Sequence, residues 1–588
     1  MPLRRLSVAR ACPLALALAL PLARSSTVGA QQTRAERTDY AETSNYADVI
    51  GFLDSLDRRF PGRLHRRRLG VSVEGRDIPL VVAARPQVTS PDAARASGRP
   101  IVYVQANIHA GEVEGKEAVQ ALLRDLLQDP APNVLDSLVL VVVPIYNADG
   151  NERWGPQEQQ RGAQNGPARV GQRPNADTLD LNRDYLKAEA PETRGTLAMF
   201  AAWTPDVFVD LHTTNGSYHG YALTYAPSLH PAAMTPALAP AGPWTRDTLL
   251  PLLRRRMRER HGFETFDYGN FRGVDGGRDV PTSLAKGGWE TYEHGPRFGT
   301  NYAGVRGMVS VLSEAYSHDP FARRVAATRA FVQELLSAVA RERRVVLARV
   351  RGPRRTAAAT AAATAAATAA ATAPATEMPI RATLTRTPFT APVLVEPLVA
   401  TGDSVRHEAG LRPGLRRSGQ VTPVPMPVFD RFDATRTRAL PAGWVLPAGA
   451  DSLVQRLEAH GIAVETLEGP WTGPLEVFTV DSIIRSPRLF QKHREVSVEG
   501  RWAAAPAALP RGTRVVSAAQ PLAALAAILL EPESDDGYTT WNVFDAALVT
   551  GQPHPVRRAL SAWPRPARGS RPPSSAPSPR PSRPSRPS

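Results

Sequence analysis

Cysteine is almost missing from this chain: the 588 residues hold one, Cys12. Cys12 sits in an apolar N-terminal run and would leave with it on cleavage after Ala30. The mature chain then has no disulfide, no thiolate nucleophile and no cysteine ligand for a metal. An oxidising compartment is compatible with this but is not demanded by it. Lysine is also scarce, standing only at Lys116, Lys187, Lys286 and Lys492, so the formal charge of +15 is carried by arginine. The arginines are spread along the chain together with alanine and proline, as a coding bias would spread them. They are not clustered between aromatics, so no nucleic-acid partner is expected. No apolar run is comfortable as a membrane span. Cys12–Ala23 (CPLALALALPLA) falls well short of the roughly 20 residues a bilayer requires.

That short run, the basic start at Arg4, Arg5 and Arg10, and the small residues Val28-Gly29-Ala30 read together as a signal peptide over residues 1–30. Export follows as the expected localisation, with no stable membrane insertion after cleavage. From about 40 to 350, short buried-strand patterns alternate with amphipathic ones. Pro100–Ala106, Ser137–Tyr146, Pro205–Leu211 and Met308–Ser313 read as strands, and Gly115–Gln128 and Phe321–Leu347 as helices. The fold class expected is α/β, a mostly parallel mixed sheet flanked by helices. An Ala/Thr-rich linker follows at 351–376, built on a TAAA repeat. Residues 377–560 read as a smaller α+β or β-rich accessory domain, with strands at Met378–Leu398 and Leu475–Glu499 and helices at Ser452–His460 and Leu522–Leu530. No ligand or nucleophile cluster is found there, and His460 and His493 are isolated. Residues 561–588 form a Pro/Ser/Arg tail of disordered composition.

The chemistry gathers at predicted strand ends, where sites form in open α/β sheets. Asn107–Glu117 (NIHAGEVEGKE) sets His109 and Glu112 in an H-x-x-E pair, and residues three apart on a turn entering a helix face one side. A catalytic zinc commonly takes three protein N/O ligands and keeps one open position. His212 ends the strand of Val209–Asn215 (VDLHTTN) and supplies the third. Glu114, Glu117 and His219 are weaker competitors. Asp210, two residues earlier, is either a carboxylate that orients a ligand or an ordinary strand-end residue. Glu314 in SVLSEAYSHD closes an apolar strand and is the candidate general base. In Asp180–Tyr185 (DLNRDY), Arg183 beside Asn182 is suited to grip a carboxylate in two parallel hydrogen bonds.

In this order the segments resemble the zinc carboxypeptidase family, whose best-known members are the pancreatic digestive enzymes, over roughly 40–350. The resemblance implies one Zn2+ per chain on His109, Glu112 and His212. It implies Asn182 and Arg183 on the substrate carboxylate, Glu314 as base, and hydrolysis of the C-terminal peptide bond. It also implies an arginine that polarises the scissile carbonyl. Arg153, Arg161, Arg169 and Arg173 stand in the right interval, and Arg173 is preferred. A tyrosine before the base is implied as well. Tyr292 and Tyr302 both qualify, and Tyr302 is carried forward among the substrate-binding residues. The expected partner is a peptide or acyl-amino-acid substrate. Two alternatives stand beside this reading: a zinc-dependent deacylase or amidase acting on N-acyl amino acids or cell-wall peptides, and a non-catalytic binding protein with a degenerate peptidase domain. Nothing in the sequence fixes an oligomeric state.

Overall fold

The computed structural model of the protein describes residues 31–214, 216–272, 287–366, 376–407, 411, 413–505 and 508–564. The signal segment and residues 565–588 of the predicted tail lie outside the described residues. The described residues from Gln32 onward group as one compact unit.

Its centre is an eight-stranded sheet. The strands are β1 (Leu64–Val71), β2 (Asp77–Ala83), β3 (Ile101–Ala106), β4 (Val139–Val143), β5 (Val207–Thr213), β6 (Leu223–Pro227), β7 (Thr265–Asp267) and β8 (Val309–Ala315). They lie in the order β1-β2-β4-β3-β5-β8-β6-β7. The inner ladders β4-β3, β3-β5 and β5-β8 are parallel, and β1-β2, β2-β4 and β8-β6 are antiparallel. Strands β3, β4, β5 and β8 are buried along their whole length. That is the reason each reads as an unbroken apolar run instead of an alternating one.

Helices α1 (Tyr46–Arg59), α2 (Glu114–Gln128) and α3 (Phe321–Arg341) cover one face, where Val102, Val104, Leu122, Val209 and Leu335 share a core. The other face buries Tyr103, Val141 and Phe208 in a second core. That core continues into Trp444, Phe478, Val498 and Leu529 of the C-terminal region. The predicted α/β class is met, and a β-rich region follows it. Its largest hairpin pairs β9 (Leu475–Arg485) with β10 (Val496–Ala505). The helix predicted over Phe321–Leu347 ends at Arg341, and a separate helix, Arg343–Ala366, runs into the Ala/Thr-rich repeat. Among the described residues no helix is long and apolar enough to cross a membrane.

Candidate metal centre and substrate cavity

The first cluster is assembled by a turn and two strand ends. Asn107 leaves β3 with φ +66°, a left-handed conformation that asparagine tolerates better than most residues. Its side-chain amide donates to the carbonyls of Ala110 (3.1 Å) and Glu112 (3.3 Å). The Glu112 N–H donates to His109 O at 2.9 Å, closing the turn that puts both side chains on one side. Gly111 has no room for a side chain, since a Cβ there would stand 2.7 Å from Arg161 Cγ and 2.9 Å from Gly171 O. His212 arrives from β5, and Glu314 is its register partner on β8.

Three donor atoms converge. His109 Nδ1 lies 3.0 Å from Glu112 Oε1, His212 Nδ1 lies 3.0 Å from Glu112 Oε2, and the two Nδ1 atoms are 3.3 Å apart. All three residues are buried, and their ligand atoms fall within 4.8 Å of one another. The far nitrogen of each ring meets a carboxylate. His109 Nε2 is 3.0 Å from Asp180 Oδ1. His212 Nε2 is 3.0 Å from Asp210 Oδ2. Asp210, left open between two readings in the sequence, stands behind the His212 ring. Burial opposes charge on His212, yet Asp210 and Glu112 outweigh it and hold its pKa well above the ordinary histidine value. The field here favours a cation. Two imidazole nitrogens and one carboxylate, each ring held from behind by a carboxylate, form a donor set that fits zinc.

A cavity of about 300 Å3 opens on the trio, and Arg173, Asn182, Arg183 and Glu314 share its wall. Glu314 is buried with Oε2 unpartnered, and burial pushes its carboxyl up to about 8. Glu112 is the opposite case: burial works against its charge, but His109 and Arg161 hold it well below the usual carboxylate range. Arg183 lies with its guanidinium carbon 4.0 Å from the Phe298 ring centroid and donates to Asn182 O at 3.0 Å. The Asn182 side-chain oxygen accepts from Gly299 N at 2.9 Å, which ties the Asn182–Arg183 turn to the start of the helix Gly299–Val305.

The four candidate arginines separate clearly. Arg153 pairs with Glu74, and Arg169 reaches only Trp154 O. Arg161 donates to Glu112 Oε1 at 3.0 Å and to the carbonyls of Thr213 and Thr214, closing the back of the ligand turn. Arg173 holds Asp180 Oδ2 through Nε at 2.9 Å and faces the cavity, with 36% of its side chain exposed against 13% for Arg161. The structure does not bring Tyr302 to the cavity. It is fully buried, its hydroxyl 2.7 Å from His460 Nδ1 and its ring stacked on Phe200. Its helix, Gly299–Val305, turns it toward the core that the C-terminal region completes. The tyrosines on the cavity wall are Tyr292 and Tyr268.

The competing acids are engaged elsewhere: Glu114 with Thr213 and Arg324, and Glu117 with Thr43 and Ser44. His219 is buried against Tyr316 and does not line the cavity. Sequence reasoning passed over Asp180 as the partner of His109, although it opens the DLNR segment. It also passed over Phe490 on the cavity wall and Gln491, whose side-chain oxygen accepts from Asp180 N at 2.8 Å. Both come from the C-terminal region, and no local pattern marks them.

The fold carries a buried donor set that fits zinc beside a cavity, and similarity to known proteins gives the class, a zinc metallopeptidase. Residues 49–196 match the zinc carboxypeptidase family, a stretch that holds His109, Glu112, Arg173, Asp180, Asn182 and Arg183, while His212 and Glu314 lie beyond it. The chain is 23% identical over 536 residues to carboxypeptidase 2 of Trichophyton tonsurans, covering 86% of this chain and 85% of the relative. A shorter match, 32% over 102 residues, is to human cytosolic carboxypeptidase 6, covering 17% of this chain and 19% of the relative. Among solved structures, a metallo-carboxypeptidase from Pseudomonas aeruginosa in complex with (2-guanidinoethylmercapto)succinic acid aligns with 20% identity. The alignment covers 52% of this chain and 70% of that one, with a TM-score of 0.36.

Proposed function

We propose that this metallocarboxypeptidase is exported and hydrolyses the last peptide bond of its substrates with Glu314 as general base. One observation carries the reading: a cationic clamp, Arg183 with Asn182, shares a single cavity with the ligand trio and Glu314. His109, Glu112 and His212 would hold the zinc ion, which when bound would supply Lewis acidity and lower the pKa of a water to about 7. The substrate's terminal carboxylate is bound by Arg183, which sets the scissile carbonyl toward the trio. Glu314 Oε2, with no other partner, accepts a proton from the attacking water. As oxygen bonds to the carbonyl carbon, Arg173 stabilises the developing negative charge. Glu314 then gives its proton to the leaving nitrogen as the C–N bond breaks. The basic start and apolar run of residues 1–30 support export.

The test is zinc content of the purified protein together with release of C-terminal residues from a peptide panel. One zinc per chain with release of single terminal residues is expected. Zinc with no release from peptides, but with cleavage of N-acyl amino acids, would move the assignment to the deacylase.

A further inference from the structure

We infer that Phe490, at the tip of the β9–β10 hairpin, is a specificity-determining wall of the substrate cavity, closing it beyond Arg183 so that a substrate chain must end there. The inference rests on the carboxypeptidase reading above and adds a residue from the region that showed no motif of its own.

The hairpin is built to reach the site. Its ladder runs from Leu475 paired with Ala505 to Arg485 paired with Val496, continues through Ser486 N to Glu495 O at 2.8 Å, and ends at the Phe490–His493 bridge. The two residues between, Gln491 and Lys492, have φ of +50° and +67°. This is the two-residue hairpin turn that normally selects asparagine and glycine. Two long side chains in the left-handed region are costly, and such strain persists only where the surroundings over-determine it. Here both sides of the turn are pinned to the catalytic region. Gln491 accepts from Asp180 N at 2.8 Å, and His493 Nε2 is 3.0 Å from the Glu189 carboxylate. Gln491 and Asp180 are 311 positions apart, and Asp180 is the carboxylate behind His109.

Pinned in this way, the tip places the Phe490 ring in the cavity wall. A chain of ring contacts locates it. Arg183 covers the Phe298 ring at 4.0 Å, and Arg297 lies 5.4 Å from that same ring and 5.9 Å from Phe490. Phe490 therefore stands on the Arg183 side of the cavity. The loop carrying Phe298 is held by the same region: Arg297 N donates to Asp536 Oδ2 at 2.8 Å, and His294 meets Asp535 at 3.0 Å. In this inference the Phe490 ring is the wall that a chain extending beyond Arg183 would meet. On this placement a substrate would end with its carboxylate on Arg183.

The test compares products by mass spectrometry on one peptide of defined sequence: single C-terminal residues against C-terminal dipeptides. Opening the wall lets the chain extend one residue past the clamp, so dipeptide release is expected to rise in the order parent, Phe490→Val, Phe490→Ala. The alanine variant is expected to raise the dipeptide-to-residue ratio about tenfold or more, the scale on which a few side-chain carbons decide selectivity. Leu489→Ala, whose neighbouring side chain is 66% exposed, is expected to leave the ratio at the parent value. Zinc content at the parent level shows that the site is intact. A ratio equal to the parent's in zinc-loaded Val and Ala variants overturns the inference, as does an equal rise in Leu489→Ala. A parent protein that holds zinc but releases no terminal residue overturns the carboxypeptidase reading itself, and this inference with it.

Discussion

His109 is held between two carboxylates, Nδ1 at 3.0 Å from Glu112 Oε1 and Nε2 at 3.0 Å from Asp180 Oδ1. The second contact fixes which ring nitrogen faces the metal position. Asp180→Asn removes the charge while nearly keeping the shape. It is expected to weaken zinc affinity by about 10–100-fold, the usual scale for a carboxylate behind a ligating histidine. Chelator competition on the purified protein measures this directly, and an unchanged affinity would remove Asp180 from the site.

His212→Ala deletes one of three donors, and zinc is expected to fall well below one per chain with activity lost in parallel. Removing the metal from the parent with a chelator and restoring it should take activity away and return it. Zinc at the parent level in His212→Ala would point to a different ligand set.

Glu314→Gln is isosteric and cannot take up a proton. It is expected to retain zinc and lose about 10^2–10^4-fold in kcat, the range assigned to a general base. Loss of zinc in step with activity would instead make Glu314 a structural or ligating residue.

On the proposed mechanism, Arg183→Ala would remove a charge-assisted contact to the substrate carboxylate, worth about 1.5–3 kcal/mol. Its effect is expected mainly in KM, by roughly 10–100-fold. Arg173→Ala, in contrast, should act mainly on kcat. Steady-state kinetics on one peptide separates the two, and a pure kcat effect for Arg183→Ala would take it out of the clamp.

Burial pushes His219, His230, His460 and His554 down to about 3. In the unfolded chain each titrates near 6.5. The unfolded state therefore binds more protons than the folded one between these values. Stability from the four is complete above about 6.5 and is lost progressively as pH falls toward 3, by roughly 1 kcal/mol per histidine per pH unit. Urea midpoints from pH 7.5 to 4 should fall accordingly, and His460→Gln should make the fall shallower. A midpoint independent of pH over that range would contradict the burial of these rings.

The two kinds of sequence signal fared differently. Apolar runs such as Ile101–Ala106 and Val309–Ala315 were legible as strands because both faces of the central sheet are covered. His109–Glu112, His212 and Glu314 sit at or just after strand ends, whereas Asn182–Arg183 lie in a short 3-10 turn, Leu181–Arg183, away from any strand end. Tyr302 was misplaced because spacing along a chain does not tell which side of a short helix meets the cavity; its helix, Gly299–Val305, is buried on every side. Arg161 and Arg173 could not be told apart by position alone. Only their contacts separate the arginine behind Glu112 from the one on the cavity wall.

The sequence alone determined the chemistry: which donor types are present, in what order, and on which elements, since strand periodicity and turn composition act over a few residues. The tertiary structure decided what the chemistry meets. Asp180 behind His109, the unpartnered oxygen of Glu314, and Phe490 and Gln491 brought from the far end of the chain all depend on the packing of elements far apart in sequence. Local propensity carries no information about such distances. They follow from one core shared between the central sheet and the C-terminal region, which only the folded chain forms.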